Sequence, residues 1–170
     1  FNAQAQAEQG DKITAGFVVQ VAYVDDALRE IERCVEELDL QLLCLPTHFL
    51  DQNDQWQSVA DESVEPIFDL ADRYKLAVEI HPYDGPRMIG LPDRFWRFHL
   101  VWMCAQTADT YHLFTLMNYP EKYQGMRSCF AHGNQFGQMN VGRRIQGFEG
   151  RPDLFEGAVH PEVALGAANV

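Results

Sequence analysis

The run Leu76-Ala77-Val78-Glu79-Ile80 ends in His81, and the run Met126-Arg127-Ser128-Cys129-Phe130-Ala131 ends in His132. Both runs have the composition of buried parallel strands. In α/β folds chemistry gathers at the C-terminal tips of such strands. Two tips one βα unit apart can aim two imidazoles into one mouth. Imidazole is the commonest metal ligand and the usual general base near neutral pH. His48 follows a third apolar run and is a candidate for lining the same mouth, or for a structural role. Asp84 lies just past His81 and could cap the loop or support the site from behind. His99, His112 and His160 read as ordinary surface or partly buried residues.

The surrounding elements alternate. Gly16 to Ala22 and Leu40 to Pro46 are β-rich and nearly continuous in apolar residues. Between them Ala27, Leu28, Ile31, Cys34, Val35 and Leu38 make a helical stripe, with Arg29, Glu30, Arg33, Glu36 and Glu37 on the opposite, solvated face. Asp51, Asn53, Asp54 and Gln55 indicate a loop. Ser63 to Tyr74 reads as a helix with Pro66 in its first turn. Pro82 to Asp93 is a proline- and glycine-rich loop. Trp96 to Asn118 is helical and unusually aromatic, and a last helix is expected near Gly137 to Gln146. Strands joined by helical crossovers imply a parallel sheet covered by helices. Four such βα units fall short of a complete (β/α)8 barrel, which needs about 250 residues. The expected organisation is one domain: an irregular lead-in over residues 1–15, βα units over 16–155 and a tail over 156–170.

Composition narrows the function. A formal charge of −12 argues against nucleic acid and anionic membrane as partners. No run of about 18 apolar residues suggests a membrane span, and no signal peptide is visible. Cys34, Cys44, Cys104 and Cys129 form no CxxC pair, so buried free thiols in a reducing, cytoplasmic setting are expected. Phosphate-binding glycine loops, GxSxG and HExxH are all absent from the sequence.

Five segments together resemble the metal-dependent decarboxylases of the amidohydrolase superfamily. They are THF (47–49), IHPYD (80–84), the region of Trp96, CFAHGNQF (129–136) and VGRRIQGFEGRPDLF (141–155). EIERCVEELDLQ (30–41) is similar to the family's helix before strand four. The resemblance runs from about Gly16 to Phe155. It implies a (β/α)8 TIM-barrel fold, of which this chain would supply strands three to six. It implies a divalent metal, usually zinc, held by an HxH pair on strand one, a histidine on strand five and an aspartate on strand eight. His81 matches the strand-five ligand, whereas the HxH pair and the strand-eight aspartate match nothing here.

The resemblance also assigns roles. His132 matches the family's strand-six histidine, a base toward metal-held water. Arg143 and Arg151 match two arginines that grip substrate carboxylates, the first reaching into a neighbouring subunit's site, which implies a homodimer. A guanidinium fork suits a carboxylate bidentately. Trp96 matches a pocket tryptophan able to stack on a conjugated acid. Asn134 and Gln135 depart from the family, which has small residues there. The expected activity is non-oxidative decarboxylation of a muconate-type acid. The alternatives are a hydroxybenzoate decarboxylase, a hydrolytic amidohydrolase on the same barrel, or a non-catalytic module that binds a partner through an open sheet edge.

Overall fold

The computed structural model describes residues 1–10, 12–83, 85–86, 101–132, 141–154, 158–160 and 162–163, and of 141, 143, 144 and 154 the backbone alone. Four parallel strands form the main sheet: β1 (Gly16–Val18), β2 (Leu42–Pro46), β5 (Ala77–His81) and β6 (Arg127–Phe130), in the order β1-β2-β5-β6. Consecutive strands of the chain's main sheet are therefore spatial neighbours, each reached by a helical crossover. This is the connectivity of a (β/α)8 barrel wall.

The crossovers follow their apolar stripes. Helix α2 (Val24–Glu36) buries Ala27, Ile31 and Cys34, while Asp26–Arg29 and Glu30–Arg33 pair on its outer face. Helix α3 (Glu65–Arg73) begins with Pro66 in its first turn and buries Ile67, Phe68, Leu70 and Ala71. A 3-10 turn (Glu62–Val64) leads into it, capped by Asp61, whose carboxylate accepts from the Ser63 N–H at 3.0 Å. Helix α4 (Met103–Leu116) and the short α5 (Tyr119–Lys122) return the chain to β6. Helix α6 (Val141–Gly150) follows, then a 3-10 turn (Pro152–Leu154).

The sheet has two unlike faces. Leu43, Leu45, Val78 and Ile80 are fully buried against the helices. On the other face Cys44, Glu79 and Cys129 lie in one cross-strand row, and Pro46 and His81 pair in the next. That face is only half-buried on β2 and mostly so on β5, and Val18 is exposed on β1. Strand β6 departs furthest from the expected buried strand, since Arg127, Ser128 and Cys129 are exposed. It is one of the two sheet edges among the described residues, with β5 on one side only, so the strand is left uncovered. For the same reason Cys129 is an exposed thiol. Cys34 is buried, and Cys44 and Cys104 are half-buried; all four are free.

Two elements differ from the sequence pattern. The lead-in contains a helix, α1 (Asn2–Gln9). Its residues show no apolar stripe, but Gln6 docks it, donating to the Asp39 carbonyl at 2.6 Å and accepting from the Ala15 N–H at 3.0 Å. The expected loop around Asp51 is the turn of a hairpin, β3 (His48–Leu50) with β4 (Trp56–Ser58). The Asp51 carboxylate closes that turn by accepting from the N–H groups of Asn53 at 2.8 Å and Gln55 at 2.9 Å, an Asx arrangement. Among the described residues no helix is long and apolar enough to cross a membrane.

Candidate functional site: a histidine pair at adjacent strand ends

His81 is the last residue of β5, and His132 lies two residues beyond β6. The parallel register of β5 and β6 runs to Ile80↔Phe130 and is extended by the Ala131 N–H donating to the Ile80 carbonyl at 2.9 Å. The two histidines therefore emerge side by side. Their Nε2 atoms lie 3.2 Å apart and their ring centroids 4.9 Å apart at 72°. His132 has a φ of 61°. A left-handed turn falls on this residue itself, and Gly133 lies outside the described residues. A left-handed backbone at a non-glycine residue is uncommon, although histidine adopts it more readily than most.

Burial pushes the His81 imidazole below its ordinary pKa, and the neighbouring His132 pushes the same way; Glu79 opposes them. His81 is thus held neutral at pH 7, the form that ligates a metal or accepts a proton. Its Nδ1 is buried without a hydrogen-bond partner among the described residues. The Tyr83 ring lies 4.4 Å from the His81 ring at 33°. Sequence reasoning missed Tyr83, although an aromatic two residues after a strand-end histidine is a readable signal. It also missed the Cys44–Glu79 contact (Sγ to Oε2 3.4 Å) just inside the mouth. Burial and Glu79 raise the Cys44 thiol to about 11, so it stays protonated and is no nucleophile.

β2 ends at Pro46, so His48 opens the hairpin instead of tipping the parallel strand. It is half-buried, its Nδ1 has no partner among the described residues, and burial lowers its pKa against a smaller opposing pull from Asp109. Arg151 pairs with Asp153 at 2.6 Å, both side chains exposed. Arg143 lies on α6, its side chain outside the described set. Trp96, Asp84, His99, Asn134 and Gln135 lie outside the described residues. His112 is buried on α4, and His160 packs on the Phe148 ring.

The pair fits part of a metal site. Two nitrogens at about 2.0–2.1 Å from one tetrahedral ion lie roughly 3.3–3.4 Å apart, close to the 3.2 Å found. A catalytic zinc site needs three protein ligands, however, and no group of three or more candidate ligands occurs among the described residues. The histidines can contribute to a donor set but do not complete one.

A sequential parallel sheet with helical crossovers and imidazoles at adjacent C-terminal strand ends has the architecture of a partial (β/α)8 barrel. It superposes on 5-carboxyvanillate decarboxylase LigW from Sphingomonas paucimobilis with a TM-score of 0.77 at 19% identity, over 96% of this chain and 49% of that one. It also superposes on dihydroxybenzoic acid decarboxylase from a Polaromonas species, a structure with bound manganese and an inhibitor, with a TM-score of 0.68 at 17% identity, over 85% and 45%. No family model matches the chain. In sequence it resembles 2-amino-3-carboxymuconate-6-semialdehyde decarboxylase: 31% identical over 133 residues to that of Dictyostelium discoideum, covering 76% of this chain and 34% of the relative. Against that of Caenorhabditis elegans it is 28% identical over 88 residues, covering 52% and 22%. The chain thus spans about a third and about a fifth of these curated relatives and about half of the solved structures.

Proposed function

We propose that this chain forms strands three to six of a metal-dependent, non-oxidative decarboxylase, a carbon–carbon lyase acting on a carboxymuconate-semialdehyde-like acid. The observation that carries the reading is the 3.2 Å approach of the His81 and His132 Nε2 atoms at adjacent strand ends, in a chain whose sequence resembles such enzymes. In this reading the HxH pair and the strand-eight aspartate come from the rest of the barrel. His81 supplies the strand-five ligand, and zinc is the metal, with manganese its competitor. A divalent metal, when bound, acts as a Lewis acid that polarises water and substrate oxygen.

The chain's own residues supply the rest. His132, at the mouth and within reach of His81, moves the proton. Protonation at the carboxylated carbon is followed by cleavage of its bond to the carboxylate; CO2 leaves and the electron pair stays with the conjugated system. Arg143 and Arg151 hold substrate carboxylates, the first across a dimer interface, and Trp96 stacks on the conjugated acid. Arg151 must exchange Asp153 for substrate, which an exposed pair does at little cost. The enzyme is proposed to be cytoplasmic.

The test is CO2 release by the full-barrel protein, loaded with zinc or manganese. Release from 2-amino-3-carboxymuconate 6-semialdehyde supports the reading. Release from hydroxybenzoates alone supports the second reading, which the structural likeness to LigW favours. Release from neither acid overturns both. Mixing inactive Arg143→Ala and His132→Ala subunits tests the shared site: partial recovery supports it, and no recovery from proven mixed dimers refutes it.

A further inference from the structure

We propose that Gln106 is a positioning residue for the histidine pair, a role that rests on the functional reading above. Helix α4 turns an unusually polar face inward, with Gln106, Thr107 and Thr110 all buried. The threonines satisfy their hydroxyls on α4 itself, Thr107 at the Met103 carbonyl and Thr110 at the Gln106 carbonyl. The Gln106 amide instead reaches off the helix to the residue between β2 and β3. Its Oε1 accepts from the Thr47 hydroxyl at 3.4 Å.

Thr47, itself fully buried, is a junction. Its N–H donates to the His81 carbonyl at 3.1 Å, and its own carbonyl accepts from the Val59 N–H of the hairpin. Gln106 therefore reaches the backbone of His81 through one residue. It also reaches the chain beyond His81, because a Cβ on Gly85 would overlap the Gln106 amide nitrogen. Only glycine lets the chain pass this close. The amide is thus wedged between Thr47, which holds the His81 carbonyl, and Gly85. Its Nε2 has no hydrogen-bond partner among the described residues. A glutamine kept at 1% exposure with an unsatisfied donor is a poor choice for packing alone, since an apolar side chain would leave nothing unpaired.

The test uses the 170-residue chain. Imidazole nitrogen and proton signals of His81 and His132 are compared in the parent, Gln106→Leu and Thr107→Val chains, beside their melting temperatures. Thr107→Val removes a buried hydroxyl that serves α4 alone. The expected result is a changed signature for both rings in Gln106→Leu and an unchanged one in Thr107→Val, with Gln106→Glu, which keeps the acceptor for Thr47, lying between. Parent-like rings in a folded Gln106→Leu chain would overturn the proposal. If Gln106→Leu fails to fold, Gly85→Ala presses the amide from the other side and is read in the same way. In the full-barrel protein Gln106→Leu should lower kcat about tenfold with KM within about threefold. A parent protein without decarboxylase activity would refute the functional reading, and the ring signals would still decide the positioning role.

Discussion

His132 holds a φ of 61°, where the Cβ of an L-residue crowds the following carbonyl at a cost of about 1–2 kcal/mol. Glycine escapes that cost. In urea titrations of the chain, His132→Gly should be more stable than His132→Ala by about 1 kcal/mol; equal stabilities would mean that the left-handed turn is not held in solution. His48 and His81 both titrate below their ordinary value, chiefly because of burial. As pH falls, the unfolded chain takes up protons first, near pH 6.5, and the folded chain later. Their contribution to stability is therefore full above about pH 6.5 and is lost as pH drops toward the folded values. The melting temperature should decline from pH 7 to pH 5, and His48→Gln should flatten that decline. An unchanged slope would place the proton uptake elsewhere. At this scale His81 and His132 were legible, because strand-end histidines announce themselves. The hairpin that His48 opens was not legible, because nothing in Pro46-Thr47-His48 marks the end of one strand and the start of another.

Between elements, a few contacts decide how the crossovers dock. The Asp72 carboxylate, on α3, accepts from the N–H groups of Gly125 at 2.6 Å and Met126 at 3.1 Å, just before β6. Removing it leaves two backbone donors to find water. Asp72→Ala should cost about 1–3 kcal/mol by urea denaturation; no loss would show that the tether is unimportant. Phe68 stands at the centre of an aromatic cluster, 5.2 Å from Phe114, 5.4 Å from Tyr119 and 5.9 Å from Tyr123. Phe114 carries the cluster on to Phe130 of β6. Phe68→Ala should cost about 3–5 kcal/mol, and a loss below about 1 kcal/mol would show that the cluster repacks. The apolar stripes of α2 and α3 made these helices readable. α1 and the hairpin were not, because each is held by polar side chains, Gln6 and Asp51, rather than by an apolar period.

At the scale of the molecule, the sheet carries a polar row and two histidines on the face opposite its core. The alternation of β-rich runs and helical stripes sufficed to read the parallel sheet, but not the exposure of β6, which depends on what lies beside it. Two imidazoles without a third ligand should hold metal weakly. Metal analysis of the dialysed chain should therefore find well under one zinc per molecule; one tightly held zinc would mean that further ligands, Asp84 among them, lie outside the described residues.

The division of roles between the two histidines is tested most directly in the full-barrel protein, by metal content and kcat measured together. General acid–base groups contribute about 10²–10⁴-fold. His132→Ala should keep its metal and lose at least about a hundredfold in kcat, while His81→Ala should lose the metal itself. A His132→Ala protein stripped of metal would make His132 a ligand, as the 3.2 Å spacing of the two nitrogens would also allow. A His132→Ala protein of near-normal rate would remove His132 from the chemistry.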